Sequence, residues 1–207
     1  MIQDIYPHVY NNTFEPGVKP SNDDIIFSFE EDQVLMKDEH QFYHYHDISK
    51  ESICYYLFSI DDIKFFLADL TSLNHIKVSF RTMRTFEDQK LGFAAITAWH
   101  LYRWIQDNKY CGKCGHPMDF DKKERAMHCP HCSNIVYPKI SPAVIVGVTN
   151  DKGQILVTKY ARGHYQSYAL VAGYYEIGET IEETVKREVK EETGLDVTDI
   201  QYYKSQP

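Results

Sequence analysis

Two sets of residues in this chain have types and spacing that could do chemistry. Glu188, Glu191 and Glu192 stand at positions i, i+3 and i+4 of a stretch that reads as one helix. At about 100° per residue they fall within about one third of the helix circumference. Three carboxylates on one patch repel one another, so a fold that keeps them together supplies a cation, most naturally a hard, oxygen-seeking one such as Mg²⁺ or Mn²⁺. The same spacing fits a solvated acidic face, with Arg187 and Glu191 as an ordinary i,i+4 pair. The second set is Cys111, Cys114, Cys129 and Cys132, two Cys-x-x-Cys knuckles with 14 residues between them. That is close to four-thiolate zinc spacing, and Gly112 and Gly115 allow the tight turns. Four thiolates close the tetrahedron, so one zinc per chain would fold the module and perform no chemistry. His116, His128 and His131 are alternative ligands, although the cysteine set is complete without them.

The elements that must position these groups can be read in order. Thr180 with Glu183 makes a capping box and Gly194 is a C-terminal stop, so a helix runs between them with no proline inside. Ahead of it, residues 143–149 read as a buried strand, 150–153 as a hairpin turn and 154–159 as the returning strand. A loop through Arg162-Gly-His-Tyr reaches the strand 168–173, which delivers the acidic loop and helix. In the first hundred residues, 25–30, 53–59 and 63–67 read as strands of a small mixed sheet. Residues 86–105 carry apolar residues at helical spacing and pack on it as core. Cys54 lies in an apolar strand and reads as an inert buried thiol. His40, His44 and His46 alternate without a carboxylate or cysteine to complete a metal set, and read as surface or strand residues. There is no internal repeat and no low-complexity linker.

The chain has 207 residues, 43% hydrophobic, enough for a buried core in one or two domains. With 22 Lys and Arg against 30 Asp and Glu, the net charge is −8. No overall basic field invites nucleic acid or an anionic membrane, and a polyanionic substrate needs metal or local cations. The N-terminus lacks a basic start with an apolar core, and no apolar run approaches spanning length. We expect a soluble, cytoplasmic protein without a membrane partner, in which paired cysteines mean metal and not disulfides.

From Gly173 to Leu195 the chain resembles the Nudix hydrolase signature G-x5-E-x7-R-E-U-x-E-E-x-G-U, where U is aliphatic. Gly173, Glu179, Arg187, Glu188, Val189, Glu191, Glu192, Gly194 and Leu195 match its nine fixed positions over 23 residues. The resemblance implies metal-dependent attack of water on a diphosphate. It implies Glu188, Glu192 and the backbone carbonyl of Ala172 as ligands of Mg²⁺ or Mn²⁺, and Glu191 as a further ligand or the base. Glu179 and Arg187 would brace the loop against the helix. A zinc ribbon directly before such a domain is similar to the NADH pyrophosphatase (NAD diphosphatase) family, closely from about Lys109 onward and loosely before. That family carries a further Ser-Gln-Pro-Trp-Pro-Phe-Pro signature, and this chain ends at Ser205-Gln-Pro.

The expected architecture is α+β: an N-terminal Nudix-like mixed α/β domain (1–108), a four-cysteine zinc ribbon (109–138), and an incomplete Nudix α/β/α sandwich (139–207). By the resemblance, Glu124, Tyr137, Arg81, Gln206 and Pro207 contact substrate. The expected reaction cuts NADH or NAD⁺ to nicotinamide mononucleotide and AMP, with NAD at RNA 5′ ends as a further substrate and a homodimer as the assembly. Only 67 residues run from Ser141 to Pro207, about half of what such a domain occupies. The expectation is therefore a fragment, a premature stop or a truncated reading frame. The competing reading is a non-catalytic remnant that keeps zinc and binds nucleotide or a partner.

Overall fold

In the first part of the chain, apolar residues occupy consecutive positions, as in Ile25-Ile-Phe and Phe65-Phe-Leu, which suits strands covered on both faces. The computed structural model describes residues 1–159, 161 and 167–206 and divides into two units, Met1–Pro138 and Lys139–Ser205. In the first unit the strands are β1 (Tyr10–Asn11), β2 (Ile25–Phe27), β3 (Phe29–Glu30), β4 (Gln33–Met36), β5 (Tyr43–His44), β6 (Tyr55–Ile60), β7 (Ile63–Leu67) and β8 (Ile76–Ser79). A five-stranded mixed sheet has the order β1-β6-β7-β2-β5, with β2 parallel to β7 in the register Ile25↔Phe65 and Ile26↔Phe66. A three-stranded sheet has the order β3-β4-β8.

Alternation along the strands fills both faces of the larger sheet. Phe27, Phe58 and Phe65 join one core with Phe93, Ala94, Ala95 and Ala98, while Ile26 and Phe66 join another with Tyr43, Ile48 and Leu70. The single strand expected over 25–30 is broken at Ser28. The Ser28 hydroxyl accepts the Leu70 N–H at 3.2 Å and its carbonyl accepts the Leu35 N–H at 2.9 Å, so the chain passes from one sheet to the other there. Cys54 is placed differently from its sequence reading. It precedes β6, is only half-buried, and its thiol lies 3.6 Å from the Ser52 carbonyl. His44 and His46 each turn Nδ1 to a backbone carbonyl, of Asp23 and Asn22, at 2.8 Å.

Helix α1 (Gln89–Asp107) starts at Asp88, whose carboxylate accepts the N–H groups of Lys90 and Leu91. Its last turns carry Trp104 into a cluster with Cys111, Met118, Met127 and Cys129. The ribbon, with β9 (Asp119–Phe120), β10 (Met127–His128) and β11 (Ile135–Val136) in one antiparallel sheet, is thus part of the first unit.

The second unit pairs β12 (Ala143–Val146) with β13 (Val171–Tyr174), antiparallel, and packs α2 (Ile181–Thr193) on both. Asn150 closes the hairpin turn, its side-chain oxygen accepting the N–H groups of Lys152 and Gln154. Among the described residues the returning segment pairs through isolated bridges, Thr149↔Ile155 and Thr158↔Ala169. The loop read at Arg162-Gly-His-Tyr lies outside the described residues. Among the described residues, no helix is long and apolar enough to cross a membrane.

Candidate functional site

The acidic site is built on α2. Thr180 caps the helix with Glu183 in reciprocal bonds of 3.2 and 2.8 Å, and Gly194 ends it at φ 74°. Val185 and Val189, one turn apart, are buried, which turns Glu188 toward β13. Its carboxylate lies on the Cα of Gly173, where an added Cβ would come within 1.9 Å of Glu188 Cδ. Only glycine leaves room for that carboxylate.

Arg187 ties this contact to the preceding loop. Its Nε and Nη2 donate to the two carboxylate oxygens of Glu179 at 2.6 and 2.9 Å, and Nη2 also donates to the Tyr174 carbonyl at 2.9 Å. The remaining nitrogen, Nη1, donates to Glu188 at 2.7 Å and to Glu191 at 3.3 Å. Glu179 further accepts from the Thr184 hydroxyl at 2.9 Å and the Glu176 N–H at 3.2 Å. Arg187 above all, with these other donors, holds the Glu179 carboxyl down at about 2. In turn Glu179, and then Glu188, hold the guanidinium pKa above its ordinary value.

The three glutamates do not gather as the helical spacing suggests. Arg187 stands between Glu188 and Glu191, and Glu192 is exposed. Among the described residues, the metal-capable groups whose donor atoms lie within 4.8 Å of one another are Cys111/Cys114/Cys129/Cys132 and Cys114/His116/His131. One guanidinium nitrogen, Nη1 of Arg187, bridges Glu188 and Glu191 and compensates two carboxylates that would otherwise repel. Carboxylate oxygens are hard donors of the kind a divalent metal takes, and the glycine cradle fixes that of Glu188 against β13.

The ribbon cysteines do gather. Cys111 Sγ lies 3.6 Å from Cys132 Sγ, and Cys114 Sγ lies 3.5 Å from Cys129 Sγ. A zinc tetrahedron with bonds of about 2.3 Å has edges of about 3.8 Å, so the four sulfurs fit the ion. Burial raises the Cys111 thiol, but backbone N–H groups of Lys113 and Cys114 and the neighbouring thiols bring it down to about 6. The backbone at His116 lowers Cys114, but burial and the surrounding thiols push it up to about 12. Four thiols in one site cannot all ionise until a cation compensates them.

The other expected positions are scattered. Tyr137 donates to Glu124 at 2.5 Å, and that bond raises the Tyr137 hydroxyl pKa. Arg81 is exposed in a 3-10 turn (Phe80–Thr85), with no bond from its guanidinium to Glu124 or Tyr137. Gln206 is exposed, and Pro207 lies outside the described residues. Sequence reading missed Thr184, fully buried under Glu179, and Arg125, whose guanidinium donates to the Leu57 carbonyl and the Asn12 side chain. The partners of Thr184, Glu179 and Thr180, are five and four positions away but no motif marks the pairing, whereas those of Arg125 are set by the tertiary fold.

Residues 139–207 match the NUDIX domain family and residues 106–137 match the NADH pyrophosphatase zinc ribbon domain. The NAD-capped RNA hydrolase NudC of Salmonella typhi is 36% identical over 137 residues, covering 65% of this chain and 53% of that protein. Its Klebsiella pneumoniae (strain 342) counterpart is 42% identical over 107 residues, covering 52% of this chain and 41% of that protein. The chain spans about half the length of the curated relatives it matches. The ribbon cysteines therefore lie in the segment matched as an NADH pyrophosphatase zinc ribbon domain, and the acidic loop–helix in the segment matched as a NUDIX domain.

Proposed function

We propose that this chain, with an NADH pyrophosphatase zinc ribbon directly ahead of a Nudix domain, serves hydrolysis of the diphosphate of NADH or NAD⁺. The relatives' name extends the substrate range to NAD at RNA 5′ ends. The observation that carries the reading is the Glu188 carboxylate, seated on Gly173 and held by an arginine that Glu179 clamps through two nitrogens.

In this reading Glu188, Glu192 and the Ala172 carbonyl hold Mg²⁺ or Mn²⁺. When bound, such ions neutralise diphosphate charge and lower the pKa of a coordinated water. Glu191 is the most loosely held acid of the set: it is exposed, and its contact to Arg187 at 3.3 Å is the longest of that network. It takes the proton of the attacking water, or joins the ligands. Attack forms one P–O bond and breaks the bridging P–O bond, releasing nicotinamide mononucleotide and AMP. Arg187 does not leave its clamp; it keeps Glu188 in place throughout. By the family resemblance, Glu124, Tyr137, Arg81, Gln206 and Pro207 are the residues assigned to the dinucleotide, and of these Glu124 and Tyr137 are bonded to each other. Zn²⁺ stays structural in the ribbon, and the protein works in the cytoplasm as a homodimer.

The test incubates the chain with NADH, NAD⁺ or ATP and Mn²⁺ or Mg²⁺, and separates the products by chromatography. The expected result is AMP with the matching mononucleotide, formed faster from dinucleotide than from triphosphate, and no reaction with chelator. Triphosphate preference, or turnover indifferent to chelator, overturns the reading.

A further inference from the structure

Thr184 is fully buried in α2, one turn ahead of Glu188 and on the same side of the helix. A buried hydroxyl needs a partner, and this one faces two acceptors, Glu179 Oε2 at 2.9 Å and the Thr180 carbonyl at 3.0 Å. It has one proton to give. Helical threonines ordinarily turn that proton onto the carbonyl four residues back, as Thr97 and Thr193 do at 2.9 and 2.7 Å. At Thr184 the competing acceptor is a carboxylate, and a bond to a charged acceptor is about twice as strong as one to a neutral carbonyl. The Thr180 carbonyl keeps its helical donor, the Thr184 N–H at 3.0 Å, whichever way the hydroxyl turns. The Glu179 carboxyl, held at about 2, is lowered by Arg187 first and by this hydroxyl as well.

We propose that Thr184 is a positioning residue of the acidic site: its hydroxyl fixes the plane of the Glu179 carboxylate, so that Arg187 is gripped through two nitrogens while its third is aimed at Glu188. The proposal rests on the reading of Glu188 as a metal ligand. Arg187 Nε and Nη2 donate to Glu179 Oε1 and Oε2 at 2.6 and 2.9 Å, and a fork of this kind is planar, so a carboxylate that twists out of plane weakens both bonds. The Thr184 hydroxyl and the Glu176 N–H, both on Oε2, resist that twist. Arg187 Nη1, carried in the same plane, then meets Glu188 at 2.7 Å. Thr184 thus acts on Glu188 through Glu179 and Arg187.

The experiment compares the unaltered chain with Thr184→Val, which keeps the branched shape and removes the hydroxyl, and with Thr184→Ser, which keeps the hydroxyl and removes a buried methyl. Mn²⁺ affinity, read by calorimetric titration, should fall about tenfold in Thr184→Val, the low end for a residue that orients a ligand, and be largely restored in Thr184→Ser. A side chain that serves packing alone gives equal affinities or the reverse order, and either result overturns the proposal. Without metal, Thr184→Val should melt below the unaltered chain above about pH 4.5, and the gap should close toward pH 2 as Glu179 takes up its proton. The Glu183 carboxyl, lowered by the Thr180 N–H, is common to all three chains and cancels in the gap. A gap that stays constant over that window assigns the hydroxyl to the Thr180 carbonyl and overturns the proposal. If the gap closes but the unaltered chain binds no Mn²⁺, the metal-ligand reading of Glu188 fails while Thr184 stands as the support of the Glu179–Arg187 clamp.

Discussion

Gly173 and Glu188 are in contact across β13 and α2, 15 positions apart in the chain, with a carboxylate where any other residue would place its Cβ. Gly173→Ala should therefore push Glu188 off the sheet or open the helix from it. Overpacking of this kind costs about 1–3 kcal/mol, and displacing a ligand's support weakens a metal by about tenfold or more. Calorimetric titration with Mn²⁺ and thermal melting check both; an unchanged affinity would detach the glycine from the metal site.

Glu192→Gln keeps size and helix propensity but removes one charge from the acidic face. Turnover of NADH should fall by about 10²-fold or more, on the order of 3 kcal/mol of barrier, while the fold persists. Lys190→Gln is the control, because the Lys190 ammonium pairs with the exposed Asp196, at 2.7 Å, and helical spacing places it away from Glu188 and Glu192. Small and equal effects from the two substitutions would return α2 to a solvated acidic face.

Acid should release the brace in a defined window. The Glu179 carboxyl is held at about 2 in the folded chain; unfolded, it titrates at about 4.3. A depressed folded value stabilises fully above the unfolded pKa and is lost as pH falls through the folded one, so the contribution drains between about pH 4.5 and 2. Glu179→Gln should remove that slope. Since Asp47, Asp61, Asp69 and Asp121 are also lowered, the quantity to measure is the difference in melting temperature between the two chains across pH. A difference that stays constant from pH 5 to pH 2 speaks against the brace.

Removing zinc should loosen the first unit. Cys129 is fully buried beside Trp104, so Cys129→Ser or chelation under reducing conditions should lower the melting temperature and expose the segment around Cys111–Cys132 to protease. Well-folded, reduced protein without zinc would contradict the site.

Arg125→Met keeps the apolar stem but leaves the Leu57 carbonyl without its guanidinium donor and removes the cation from Phe14, 5.8 Å away. A loss of about 1–3 kcal/mol in denaturant unfolding is expected, with zinc content unchanged. Zinc loss in this variant would instead make Arg125 part of the metal site's support.

Where the cause of a structure is local, the amino-acid sequence determined it. Thr180, Glu183 and Gly194 bound α2, because capping needs only neighbours three or four positions away. The knuckle spacing brings four sulfurs together, and Asn150 to Gly153 turns the chain through its own side-chain bonds. Strand β7 coincides with its apolar run at Ile63–Leu67. Only the tertiary structure decided that Ser28 divides one apolar run between two sheets, and that β1 and β5, two residues each, exist at all, since strands so short have no period to read. It also placed Arg187 among the glutamates that helical geometry alone would cluster, and seated Glu188 on Gly173. Those outcomes depend on which distant atoms already fill the space, and one-dimensional spacing carries no information about that.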